Sequence, residues 1–321
     1  MNRPKISVIG AGNVGASVAQ FLAAKELGDV YLFDIVEGVP EGKALDMYEG
    51  NPHWGSDSHV AGFNTKDESA YSNLSGSDVV VVPAGLARKP GMSRDDLLAK
   101  NVDVIKGVGL NIKKYAPNAI IVVVTNPADI MAYAMQKVTG FSPEKIMGLG
   151  GALDSARFRA FLSMELGVSV QDINAFVIGG HGDDMVPFIR YSSVGGIPIT
   201  KLLSKEKIDQ IVNRTRMGGG EIVNFLKTGS AYYAPGISIT AMVESIIQDK
   251  KRIIPSAAFL SGAHGKHYGA SGIYIGLPIR IGSKGVEHVY DIDFTDEELS
   301  LWKKTVESVK ENCNKVDAFL K

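Results

Sequence analysis

Residues 5–15, KISVIGAGNVG, run from a short β-branched segment straight into a GxGxxG turn. The chain has 36 glycines, so such a turn carries little information by itself. Its surroundings carry more. The segment NVGASVAQFLAAKE (13–26) follows with the pattern of an amphipathic helix, and the next apolar run, DVYLFD (29–34), ends in an acid nineteen residues after Gly15. Strand, glycine turn, helix, strand and terminal acid at this spacing are the elements of a dinucleotide-binding βαβ unit.

Each residue type has a physical task in such a unit. Gly10 makes the tight turn, Gly12 lets the backbone approach a pyrophosphate, and Gly15 lets the helix pack close to the sheet. The first N–H groups of that helix point at the anion. Asp34 accepts hydrogen bonds from the adenosine ribose hydroxyls and repels a 2′-phosphate. The following residues, IVEG, offer no arginine to neutralise one, so the expected cofactor is NAD rather than NADP.

The rhythm continues outward from this unit. KISVIG (5–10), DVYLFD (29–34), DVVVVPAG (78–85) and AIIVVVTN (119–126) are nearly continuously apolar, as strands covered on both faces are. With RDDLLAKNVDVIKGVGLNIKKY (94–115) as a second long helix, the pattern predicts right-handed βαβ units and a parallel sheet. After KIMGLGG (145–151) the character changes. A helix is expected at 152–167, hairpin-like strands around 173–199, helices at roughly 204–227 and 235–248, strands near 256–293, and a charged helix from about 295. The expected fold is α/β: a Rossmann-type doubly wound parallel sheet at 1–148 that binds NAD, followed by a mixed α+β substrate and catalytic domain at 149–321.

Composition narrows the function. In 321 residues, 45% hydrophobic and 21% charged content with a net charge of −1 describes a globular protein without a basic field for nucleic acid. The N-terminal apolar run is too short for a signal peptide, and the most apolar segment, AIIVVV (119–124), is far short of a membrane span. A soluble, cytoplasmic protein without a membrane partner is expected. The single Cys313 forms no internal disulfide and no multi-cysteine metal site, and it reads as an incidental thiol in the last helix. His264 and His267, three apart in HGKHYG, lack further ligands, so no metal is expected.

Two stretches carry candidate chemistry. In LDSAR (153–157), Asp154 and Arg157 lie three apart on one helix and project from the same face; a surface ion pair is the plain alternative. Arg159 points some 200° away from Arg157 around the helix, toward a neighbouring element or solvent. In GGHGDDMVP (179–187) one histidine stands between glycines. An imidazole, with an ordinary pKa of about 6.5, serves as both acid and base near neutrality.

The motifs GAGNVG, GLARKPGMSRDDLLAKN, TNPAD, LDSARFR and GGHGDDMVP occur in one order and register that resembles the lactate/malate dehydrogenase family over essentially the whole chain. The nearer likeness is to members that act on malate yet are lactate-dehydrogenase-like in sequence. The resemblance implies reversible hydride transfer between (S)-malate and NAD+, giving oxaloacetate and NADH, a reaction of the tricarboxylic acid cycle. It implies that His181 is the acid/base, that Asp154 holds its far ring nitrogen, and that Arg157 forks onto the substrate carboxylate. Arg94, carried on a mobile lid over 85–101, polarises the substrate carbonyl, and Asn126 positions the substrate. Cofactor contacts are implied for Gly10, Gly12, Asn13, Val14, Gly15, Asp34, Asn101 and Asn126. Asp183 and Asp184 are expected to be turn residues.

Arg88 bears on the choice of substrate. The family's malate-type members carry arginine at this lid position and its lactate-type members an uncharged residue, so a second cation implies a second substrate carboxylate. Ala231, where lactate-type members carry a bulkier threonine, agrees. A lactate dehydrogenase, or another 2-hydroxy acid dehydrogenase, is the alternative within the class. An NAD-dependent glycoside hydrolase or a non-enzymatic NAD sensor are alternatives outside it. A homodimer or homotetramer is expected, as in the family.

Overall fold

The computed structural model describes residues 3–86, 91–181 and 184–321. The strands are β1 (Lys5–Ile9), β2 (Asp29–Asp34), β3 (Val60–Asn64), β4 (Val79–Val82), β5 (Ile120–Val123), β6 (Ile146–Gly148), β7 (Ile173–Asn174), β8 (Val177–Gly179), β9 (Met185–Pro187), β10 (Ser193–Val194), β11 (Ile197–Pro198), β12 (Arg252–Leu260), β13 (Ile273–Gly282) and β14 (Gly285–Val289). The helices are α1 (Asn13–Ala24), α2 (Val39–Trp54), α3 (Arg94–Tyr115), α4 (Ala128–Thr139), α5 (Gly151–Leu166), α6 (Ile199–Leu202), α7 (Lys205–Leu226), α8 (Tyr233–Ile247), α9 (Gly262–Tyr268) and α10 (Asp296–Leu320).

The first six strands are parallel and ordered β3-β2-β1-β4-β5-β6, the doubly wound Rossmann arrangement. β4 and β5 are buried along their whole length, in keeping with their unbroken apolar runs. Strand order reverses between β1 and β4, and ligands of such sheets bind at that point, outside the strands' carboxyl ends. The glycine turn leaves β1 there. The sheet then continues into the second half of the chain. β6 pairs antiparallel with β12 through Gly148 and Ala257, and β13, β8 and β9 extend the row. One hydrogen-bonded sheet therefore carries both the glycine turn and the segment leading to His181. A separate smaller core gathers Phe158 and Leu162 of α5 against Ile208, Ile211 and Val212 of α7.

Helix α3 runs as its sequence predicts, from a capping box in which Ser93 and Asp96 satisfy each other's backbone N–H groups. Of the elements not singled out in the sequence, which include α4 and β6, three were hidden by weak patterning. Helix α2 has almost no apolar periodicity and contains Gly42, Gly50 and Pro52; β3, VAGFN, is interrupted by glycine; and α9 lies within the stretch expected to be strands. All three are short or weakly patterned and take their form from packing. α2, for instance, approaches Gly62 of β3 so closely that a Cβ there would lie 2.1 Å from the Pro40 carbonyl oxygen. No helix among the described residues is long and apolar enough to cross a membrane.

Candidate active site

The glycine turn is held by its own backbone. Gly10 donates to the Phe33 carbonyl at 2.7 Å and has φ +116°, a conformation that disfavours other residues. A Cβ on Gly15 would lie 1.8 Å from the Gly10 carbonyl oxygen, whereas one on Gly12 would meet nothing within 4 Å. The first two contacts fix the turn and the third leaves room for a ligand. Helix α1 starts behind Gly12 with no capping side chain, so its first N–H groups remain available to an anion. Asp34, at the end of β2, accepts from the N–H of Ala11 at 2.6 Å and of Val36 at 2.9 Å, which brings its carboxylate against the turn. These features fit a dinucleotide. The sequence did not point to Lys43, which reaches from α2 to donate to the Ala11 carbonyl at 2.6 Å; the weak pattern of α2 hid it.

His181 follows β8 in a turn pinned from three helices. Thr305 of α10 accepts from the Gly180 N–H at 2.8 Å, Asp129 of α4 accepts from the His181 N–H at 3.2 Å, and Asp154 of α5 accepts from the ring Nδ1 at 2.8 Å. With Nδ1 so engaged, Nε2 is the nitrogen left for proton exchange. Asp154 is 1% exposed. Its other oxygen meets Nη1 of Arg157 at 3.4 Å, so the pair seen in the sequence is a buried linker to the histidine rather than a surface ion pair. Burial pulls the imidazole pKa down, but the charge and hydrogen bond of Asp154, then the charge of Asp129, outweigh it, and the net shift is upward.

Arg157 lies almost buried against α7. A Cβ on Gly218 would sit 3.1 Å from its Cδ and one on Gly219 3.5 Å from Nη2. Its Nε has no hydrogen-bond partner among the described residues. A buried guanidinium with one long ion pair and an unengaged donor is equipped to take a carboxylate as a further partner. The run MGGGE (217–221) inside α7 is the signal that reading the sequence passed over: three helix-weakening glycines together imply a close approach.

A cavity of about 340 Å³ joins the two turns, lined by Gly12, Asn13, Asn126, His181 and Ala231 among others. Val14, Gly10 and Gly15 line it as well. Asn101 is fully buried; its side chain accepts from Leu86 N–H at 2.8 Å and donates to the Asn126 carbonyl at 2.8 Å. Its influence on a cofactor therefore runs through the backbone of those two residues. Arg94 is the first residue of α3 and is exposed, in the middle of the expected lid. Arg88 and Asp183 lie outside the described residues. Asp184 accepts from Ser308 of α10 at 3.0 Å, as a residue anchoring a turn does. Arg159 donates to the Val170 carbonyl at 2.9 Å, and His264 and His267 are engaged by Asp291 and the Ile292 carbonyl.

The chain is similar in sequence and fold to known proteins. Residues 4–148 match the family model described as lactate/malate dehydrogenase, NAD binding domain, and residues 151–320 match its alpha/beta C-terminal domain. The chain is 72% identical to a malate dehydrogenase of Thermoplasma acidophilum over 320 residues, covering 100% of this chain and 98% of that one. The apo malate dehydrogenase structure from Picrophilus torridus superposes with a TM-score of 0.98 at 65% identity, covering 99% of this chain and 98% of the other. The lactate dehydrogenase of Cryptosporidium parvum, solved with lactic acid and nicotinamide adenine dinucleotide, superposes with a TM-score of 0.93 at 41% identity, covering 99% of each chain.

Proposed function

The chain belongs to the lactate/malate dehydrogenase family, and we propose that within it the protein is an NAD-dependent malate dehydrogenase, interconverting (S)-malate and NAD+ with oxaloacetate, NADH and a proton. The observation that carries this reading is the buried Asp154, which engages His181 with one oxygen and Arg157 with the other, beside the cavity that runs to the glycine turn. High identity to a protein named malate dehydrogenase supports malate over lactate.

NAD, when bound along the glycine turn, supplies the hydride acceptor. The protein's own groups do the rest. Arg157 binds the substrate's first carboxylate, in a planar fork suited to two parallel hydrogen bonds. In malate oxidation, neutral His181 takes the hydroxyl proton at Nε2, and Asp154 stabilises the imidazolium that forms. In oxaloacetate reduction, the imidazolium returns that proton to the developing alkoxide. Asn126, on the cavity wall, positions the reacting carbon. Arg94 arrives with the lid and stabilises negative charge on the carbonyl oxygen as water is expelled. Arg88 pairs with the second carboxylate.

The proposal extends to organisation: residues 1–148 serve the cofactor and 149–321 the catalysis. Exposed Leu45 and Tyr48 on α2 with Tyr233 and Ile237 on α8 support assembly into a homodimer or homotetramer. A cytoplasmic setting accords with a single cysteine that is buried and unpaired.

The test is NADH oxidation with oxaloacetate, with pyruvate and with no substrate, repeated with NADPH. Oxaloacetate with NADH is expected to be strongly preferred. Pyruvate equalling or exceeding oxaloacetate would transfer the protein to the lactate class, and no turnover with either would support a sensor.

A further inference from the structure

Among the described residues, only two carboxylates are buried as whole residues, Asp154 and Asp129, and both converge on His181. Asp154 takes the ring. Asp129, in the first turn of α4, takes the backbone N–H of the same histidine through Oδ2 at 3.2 Å. Its Oδ1 is buried and meets no hydrogen-bond donor among the described residues. An unpaired buried carboxylate is expensive to keep ionised, and an asparagine would accept the same hydrogen bond without that cost. What asparagine could not supply is negative charge close to the histidine.

We propose that Asp129 is a positioning residue for His181: from the cofactor-binding half it holds the turn that carries the imidazole, and its charge sets the pH at which that imidazole keeps its proton. The inference rests on His181 being the acid/base of the proposed reaction. Asp129 is only three residues from Asn126, which lines the cavity, so one short segment ties the position of the reacting carbon to that of the histidine.

Among the described residues, the charged groups acting on the imidazole come from two helices. Asp154 of α5 and Asp129 of α4 favour its cationic form, and Arg157 of α5 opposes it. The third helix, α10, presents the Thr305 hydroxyl to Gly180 and Ser308 to Asp184, neither of which adds a charge. Burial raises the Asp129 carboxyl to about 6, while the His181 cation acts in the opposite sense. The two groups influence each other: a protonated imidazole favours an ionised Asp129, and the reverse.

The experiment is an NMR titration of the His181 imidazole in wild type, Asp129→Asn and Asp129→Ala, the signal being assigned by its loss in His181→Asn. The pH dependence of kcat/KM for oxaloacetate reduction is measured alongside. In Asp129→Asn the titration midpoint is expected to fall by about half a unit or more, since an opposite charge nearby has been removed. The reduction profile should move with it. Asp129→Ala is expected to lower the midpoint likewise and to reduce kcat further, because the His181 N–H also loses its acceptor. An unchanged or raised midpoint in Asp129→Asn overturns the proposal, as does a uniform loss of activity with no movement of the profile, the signature of a merely structural role. If wild type fails to reduce oxaloacetate, the malate reading falls, while the imidazole titration still decides the role of Asp129.

Discussion

The glycine turn after β1 and the histidine turn after β8 are both short, glycine-bearing connections, yet they are built in opposite ways. The first is closed by contacts made nearby in the chain: main chain to main chain from Gly10 to the Phe33 carbonyl and with Gly15 against the Gly10 carbonyl, and the Asp34 carboxylate on the Ala11 N–H. All of these partners lie within one βαβ unit. The second is held by side chains from three helices, Asp129, Asp154 and Thr305, separated from the turn by 52, 27 and 125 residues respectively. A ligand that must be gripped along its backbone needs fixed N–H groups, and local chain geometry supplies them. A group that must gain and lose a proton needs a controlled electrostatic environment, which is assembled from distant parts of the chain. Substitutions at the two turns should therefore fail differently.

The largest effect is expected at the histidine turn. His181→Asn should lower kcat by at least the ~10²- to 10⁴-fold associated with general acid–base catalysis. NADH binding, measured by fluorescence titration, should remain near wild type because the glycine turn is untouched. A variant that turns over normally would remove His181 from the chemistry, and one that also loses NADH would erase the distinction between the two turns.

Arg88→Gln comes next. Leaving a desolvated carboxylate unpaired costs on the order of 2–5 kcal/mol, or roughly 30- to 5,000-fold in kcat/KM. Oxaloacetate reduction should fall by such a factor while pyruvate reduction improves. Equal ratios of the two efficiencies in wild type and variant would deny Arg88 its role in specificity.

What the sequence made legible follows the same division. The cofactor turn, strands β1, β2, β4 and β5, and α3 could be read because their determinants are contiguous: a glycine spacing, unbroken β-branched runs, a capping box. The site residues Asp154 and Arg157 were visible as a pair, but their burial was not, because an i,i+3 spacing looks the same on a surface and in a core. Asp129 stood in plain view in TNPAD, yet only the tertiary fold brings α4 to the His181 N–H. Lys43 was hidden in a helix with little periodicity, and Gly218 and Gly219 in a run that reads as flexible until Arg157 is seen against it.

Asp129 also sharpens the contrast in stability. Its carboxyl is raised from 3.8 to about 6 by burial, so the folded state holds a proton that the unfolded state has released between those values. Stability therefore falls as pH rises through that window, and the full cost, on the order of 3 kcal/mol, is present above it. Asparagine does not titrate. Asp129→Asn should raise the thermal midpoint by several degrees at pH 8 and by roughly a third as much at pH 4.5. A similar change at both pH values would mean that the buried charge is not the cause. At the glycine turn, Asp34→Ser should narrow the preference for NADH over NADPH, the smallest of these effects, and equal efficiency with the two cofactors in wild type would remove its basis.

The central claim is that His181, held by Asp154, exchanges the substrate proton. It is tested most directly by measuring kcat/KM in both directions against pH on one preparation. Asp154 raises the imidazole pKa against the opposing effect of burial, so oxaloacetate reduction, which needs the imidazolium, should persist to a pH above the ordinary histidine value of about 6.5 and then decline. Malate oxidation, which needs the neutral ring, should rise through the same range. Opposed profiles in that range, both abolished in His181→Asn, are the predicted result. Profiles that run in the same direction, or that survive the substitution, would contradict it.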